Sequence, residues 1–294
     1  MNFKDLVIAS SLCLLLSSCE EEMATQVQCQ NGFSSSVVGN PLNPTTIIGP
    51  IDWIKYNQTG DVAQNANEQA VAQVKIPEII ASCTGFLINE DTLMTNNHCI
   101  GSASNAVNVT AIFRDEEGKR TTFVCDQFLT TNFQYDFSLV KCKNSPGKTF
   151  GWVGLSNEKP EVYSQIYVVQ ENCDYITNPH CTIDKYVAFG EVLGSQTTRV
   201  YHDADTLAGS SGSPIFSDDT QQVIALHNAG SVTSDPSSAK NGGVPMYKIR
   251  NIIETTTNVR VYDAGTAGEY QIPSTEPNQG AKDQTPDANN NCKS

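Results

Sequence analysis

Three segments of this 294-residue chain combine residue types that can perform nucleophilic chemistry. Asp205-Thr206-Leu207-Ala208-Gly209-Ser210-Ser211-Gly212-Ser213-Pro214 sets serine hydroxyls among glycines. Cys83-Thr84-Gly85-Phe86-Leu87-Ile88, followed by Leu93-Met94-Thr95-Asn96-Asn97-His98-Cys99, brings an imidazole. Tyr135-Asp136-Phe137-Ser138-Leu139-Val140 places a carboxylate at the head of an apolar run. A serine hydroxyl is a poor nucleophile at its own pKa, so a base must take its proton. His98 can be that base, Asp136 can hold the other imidazole nitrogen, and Ser211 can attack a carbonyl. Each piece alone has a plainer reading. A histidine beside a cysteine is commonly structural, an aspartate commonly caps or faces solvent, and Gly-Ser-Ser-Gly-Ser can be a flexible loop. Their joint occurrence in the order His, Asp, Ser is what carries weight.

Holding three such groups together needs a rigid frame, and the middle of the chain reads as strands. Short apolar or β-branched runs recur at 70–76, 83–88, 106–113, 121–128, 137–141, 165–169, 186–192, 197–201, 214–216 and 222–227. Gly, Asn, Asp and Pro punctuate them. One helix is expected at 246–254, where Ile249, Ile252 and Ile253 share a face. Many short strands and little helix argue for an all-β barrel or sandwich. Residues 20–46 are polar and turn-rich, and 263–294 are poor in large apolar residues; both flanks read as disordered, the first as a tether or pro-segment.

Composition narrows the function. Hydrophobic residues make up 39% and charged residues 17%, which excludes a wholly disordered chain. Lys and Arg number 18 against 32 Asp and Glu, a net charge of −14, so nucleic acid is not an expected partner. Ten cysteines without a Cys-x-x-Cys pair point to disulfides in an oxidising compartment rather than to zinc. Residues 1–18 hold Lys4 and the apolar run Leu6 to Leu16, which suits an export signal and is too short to span a bilayer. The run ends in Leu16-Ser17-Ser18-Cys19, which resembles the lipobox of bacterial lipoproteins. That resemblance implies lipidation at Cys19 and a periplasmic or cell-surface location on a membrane, with release as a variant. An ordinary cleaved signal containing a cysteine is the alternative.

The Gly-x-Ser-Gly-x-Pro segment at 209–214, with the His-Cys and Asp segments before it, resembles the chymotrypsin-fold serine proteases, most closely the bacterial glutamyl endopeptidase branch. The resemblance spans roughly 47–262. It implies two six-stranded antiparallel β-barrels, the first at about 65–145 and the second at about 150–260, followed by the short helix. It implies hydrolysis of peptide or protein substrates without a cofactor or metal, with an oxyanion hole formed by the N–H groups of Gly209 and Ser211. Chain order supports this branch of triad enzymes: subtilisins run Asp, His, Ser and α/β-hydrolases run Ser, Asp, His. Asn96-Asn97 depart from the family, which usually has Ala and a small residue before the histidine.

Thr206 and His227 match the positions at which glutamyl endopeptidases hold a P1 carboxylate, and Asn228 and Gly230 continue that segment. A hydroxyl and an imidazole can both donate to a carboxylate. Asp205 stands where trypsins select Lys or Arg, so a basic P1 preference is the competing expectation. A third is a non-catalytic binding protein on the same fold, and His227 can also be a plain core histidine. His180 and His202 have no assigned partner. Cys83 and Cys99 bracket the histidine strand pair, and a bridge would close a loop of about 15 residues, a constraint of about 3 kcal/mol. Cys125–Cys142 would join the strands either side of Asp136, and Cys173–Cys181 would close a short surface loop. Cys29 and Cys292 remain as a pair by elimination.

Overall fold

The computed structural model describes residues 47–77, 81–173, 180–231 and 240–266. The signal, lipobox and tether assigned to 1–46, the Cys29–Cys292 pair and most of the 263–294 tail lie outside the described residues. Strands dominate, as the sequence pattern implies.

The first sheet runs β6-β5-β2-β3-β4-β8-β7. Its strands are β2 Val71–Ile76, β3 Ala81–Leu87, β4 Thr92–Thr95, β5 Thr110–Arg114, β6 Arg120–Val124, β7 Gln127–Asn132 and β8 Phe137–Lys141. The expected single run at 121–128 is two strands. Cys125 is pinned at the corner by its disulfide to Cys142 and by its N–H on the Val109 carbonyl at 2.9 Å. β6 and β7 are the two ends of the ladder, and only Cys125 and Asp126 separate them. The sheet is therefore rolled up on itself. The run at 106–113 also shortens. Residues 102–109 turn instead, and Asn108 takes φ +58°, a left-handed value that strands exclude.

The second sheet contains β1 Ile54–Lys55, β9 Gln165–Asn172, β10 Asp184–Ser195, β11 Val200–His202, β12 Pro214–Ser217, β13 Val223–Ser231 and β14 Lys240–Pro245. Six of them, in the order β9-β10-β11-β14-β13-β12 and back to β9, close a barrel, and β1 adds to β10 outside it. Alternation puts Ile166, Val168, Ala188, Val192, Val200, Ile215 and Ala225 in its interior. A second apolar cluster fills the first sheet, and a third joins the two, with Phe86, Met94 and Leu139 packed against Tyr167, Phe216 and Leu226. Tyr167 and Phe216 stack at 4.8 Å there.

Three helices complete the fold. α3, Met246–Thr256, extends the expected helix by two residues and buries Met246, Ile249 and Ile253. α1, Val62–Gln69, gives no apolar period, because its buried face is Ala63, Gln64, Asn67 and Glu68. Its start is set by Asp61, whose carboxylate accepts from Gln64 N–H at 2.9 Å. α2, Gly147–Phe150, is a single turn. Residues 263–266, assigned to the tail, pack instead on the 152–154 segment, with Thr266 N–H on the Trp152 carbonyl at 2.9 Å.

Charged side chains also cross between the sheets. Arg114 on β5 reaches Glu171 on β9 at 3.0 Å and Asp184 on β10 at 2.6 Å. Lys185 is fully buried and donates to the carbonyls of Glu68 and Val71 at 2.6 and 2.7 Å. Burial pushes the Glu68 carboxyl up to about 7 and the Lys185 ammonium down to about 8.

Candidate active site

β4 ends at Thr95, and the turn after it carries His98 toward the turn between β7 and β8. His98 Nδ1 lies 2.9 Å from Asp136 Oδ2, and the His98 backbone N–H donates to Asp136 Oδ1 at 3.0 Å. Both carboxylate oxygens thus face one residue, which fixes the ring's orientation. Asp136 adopts φ +42°, a conformation that costs a non-glycine residue about 1–3 kcal/mol and that functional sites often retain. Asn96, fully buried, donates from Nδ2 to the Asp136 carbonyl at 2.9 Å. Asn97 donates to Thr131 Oγ1 at 2.6 Å. The two asparagines that depart from the family pattern therefore hold both sides of this turn. Cys99 is bonded to Cys83, which ties the same turn to β3.

The 205–214 loop is braced from below by β9. Gln170 donates to the Asp205 carbonyl at 2.7 Å and accepts from Ser210 Oγ, and Asn172 joins through Gln170 Oε1 at 2.9 Å. Ser210 N–H donates to Leu207 at 3.0 Å, Ser213 N–H to Ser210 at 3.0 Å, and Gly212 N–H to His227 at 3.0 Å. The N–H groups of Gly209 and Ser211 have no acceptor among the described residues. Gly209 has φ +105°, and a β-carbon there would stand 2.8 Å from the Glu171 carbonyl, so only glycine fits.

Thr84, fully buried on β3, holds the loop from the opposite sheet. Its Oγ donates to the Gly209 carbonyl at 2.9 Å and accepts from Glu171 N–H at 2.9 Å, while its N–H donates to the Ser211 carbonyl at 2.8 Å. The sequence offered Thr84 only as the neighbour of Cys83 and gave no sign of this role.

Asp205 and the histidines are placed less simply. Asp205 is 1% exposed, and its Oδ1 accepts from Ile48 N–H at 2.7 Å. Burial raises its carboxyl to about 6. Thr206 is also fully buried. His227 is 4% exposed and lies with Nδ1 3.4 Å from Nε2 of His202, the partner that the sequence did not reveal. Burial drives both imidazoles down, His202 to about 3 and His227 well below its usual value, so both are neutral at pH 7. Asn228 donates to Asp136 Oδ2 at 3.0 Å, which ties β13 to the His98–Asp136 pair. Gly230 lies on β13 opposite Asn241. The three disulfides Cys83–Cys99, Cys125–Cys142 and Cys173–Cys181 are all formed.

Residues 83–226 match the family model of the trypsin-like peptidase domain. The chain carries a trypsin-like peptidase domain. Its fold is that of the chymotrypsin-like serine proteases. A solved Glu endopeptidase in complex with MPD superposes with a TM-score of 0.55 at 22% identity, covering 68% of this chain and 93% of that one. Neuropsin from mouse brain superposes at 0.52 and 17%, covering 65% and 95%. At such identities the likeness is one of fold. The chain is also 27% identical over 207 residues to an extracellular metalloprotease of Bacillus subtilis, 64% of each chain. The chain spans 31% and 44% of the length of two further curated relatives.

Proposed function

We propose that the peptidase domain is a serine endopeptidase cleaving after acidic residues. Ser211 is the nucleophile, His98 the base, and Asp136 the group that orients and stabilises the imidazolium. The N–H groups of Gly209 and Ser211 receive the oxyanion. The observation that carries the reading is the two-point contact of His98 with Asp136, with Asn228 on Asp136 Oδ2 directly after His227, whose carbonyl accepts from Gly212 N–H. Thr206 and His227 are the residues that hold the P1 carboxylate. The competing basic preference is disfavoured because the Asp205 carboxylate already accepts from Ile48 N–H.

Export and a lipid anchor at Cys19 belong to the same reading, motivated by the apolar run and Leu-Ser-Ser-Cys. Detergent partitioning of wild type and Cys19→Ala tests it; two aqueous proteins reject the anchor. For the chemistry, a fluorophosphonate should label wild type and not Ser211→Ala. Peptides differing only at P1 should show a Glu optimum, and His227→Ala should lower the Glu-to-Leu ratio of kcat/KM roughly ten- to a hundredfold. Labelling that survives Ser211→Ala rejects the nucleophile.

A further inference from the structure

Arg199 closes the turn between β10 and β11, its carbonyl accepting from Gln196 N–H at 2.8 Å. Its side chain reaches β13 at Asn228 and β14 at Gly242. Nη1 donates to Asn228 Oδ1 at 3.0 Å. Nε, Nη2 and Cζ lie 2.7, 2.8 and 3.0 Å from where a β-carbon on Gly242 would stand, so the guanidinium occupies space that only a glycine leaves open. Gly242 is paired with Ala229 on β13, two residues beyond His227.

The charge of Arg199 is unusual for its place. Arg114 and Arg250 are each paired with carboxylates, whereas half-buried Arg199 forms no ion pair among the described residues. Burial lowers its proton affinity without removing its charge, and that charge helps to keep His202 and His227 unprotonated. A carboxylate entering beside two neutral imidazoles gains hydrogen bonds but no counter-charge, and leaving water uncompensated is costly. A guanidinium offers that charge together with a planar pair of donors matched to a carboxylate.

We propose that Arg199 supplies the positive charge that holds the carboxylate of an acidic P1 side chain beside His227. The proposal rests on reading Ser211, His98 and Asp136 as a peptidase site. Nη1 stays on Asn228, and Nε and Nη2, along the Gly242 backbone, provide the donors for the incoming oxygens. The bound substrate then completes an ion pair that the resting enzyme lacks.

The test measures kcat/KM for peptides differing only in Glu, Gln or Lys at P1, per active site counted with a fluorophosphonate. Arg199→Met should lower the Glu-to-Gln ratio tenfold or more. Arg199→Lys should retain a ratio above that of Arg199→Met, and Arg199→Glu should move the optimum toward Lys. A Glu-to-Gln ratio that stays at the wild-type value in Arg199→Met overturns the proposal, since Arg199 then acts only through Asn228 and Asp136. If Arg199→Met takes no label, Arg199→Gln decides by the same ratio. Wild type that cleaves without preferring Glu over Gln overturns this inference and leaves the peptidase reading standing. Wild type that neither labels nor cleaves removes the peptidase reading and this proposal with it.

Discussion

The backbone N–H of Ile48 donates to Asp205 Oδ1 at 2.7 Å, joining a segment 157 residues upstream to the loop that leads into Ser211. Asp205 is thereby part of the support of that loop. Its carboxyl is raised from 3.8 to about 6 by burial, so the folded chain binds a proton more tightly than the unfolded one between those values. Wild-type stability should therefore fall as pH rises from about 4 to about 6 and carry the full cost above that. Asp205→Asn keeps an acceptor for Ile48 without the charge. Its melting temperature should exceed wild type by a margin that opens between pH 4 and pH 6 and then stays constant. Parallel melting curves across that range would contradict the assignment.

Thr84→Val removes a hydroxyl of equal volume from under the Gly209 peptide. It leaves the Gly209 carbonyl and Glu171 N–H without their partner, a loss of about 1–3 kcal/mol. The proposed oxyanion donors sit on either side of that peptide, so kcat should fall roughly tenfold or more with KM little altered, and Thr84→Ser should recover most of it. A change confined to KM would place Thr84 in substrate binding instead.

Replacing Cys83 and Cys99 together by alanine should lower unfolding free energy by about 3 kcal/mol, read from urea midpoints. The turn holding His98 should loosen as well, so activity at low temperature should drop further than in the Cys125/Cys142 double variant. Equal activity losses in the two variants would show that the Cys83 bridge does not position His98.

Arg114→Met should be among the most damaging substitutions away from the site. It strips Glu171, which is fully buried, of its 3.0 Å partner and leaves Lys185 as its nearest cation at 3.9 Å. Breaking such a pair costs about 3–5 kcal/mol. Chemical denaturation should show the loss, and a shift below about 1 kcal/mol would mean that water reaches Glu171.

The sequence made the strand frame and the His98, Asp136 and Ser211 segments legible because each rests on local signals: alternation, turn residues and short spacing. Helix α1 was invisible because its buried face is polar, so no 3.6-residue apolar period exists to read. The break at Cys125 was missed because a disulfide, not a turn signal, makes the corner. Thr84, His202 and Arg199 take their meaning from partners 125, 25 and 29 residues away, which no local pattern encodes.

The hydrogen bond from Thr84 N–H to the Ser211 carbonyl crosses from one barrel to the other. His98 and Asp136 both belong to the first sheet, whose strands end at Lys141, whereas Ser211 comes 70 residues later in the chain. If His98 is the base and Ser211 the nucleophile, the first half alone has a base with nothing to activate and the second half alone a serine with no base. On the proposed reading the bond acts as an interlock, since base and nucleophile come together only where the two sheets dock, and it fixes that docking at the nucleophile's own peptide.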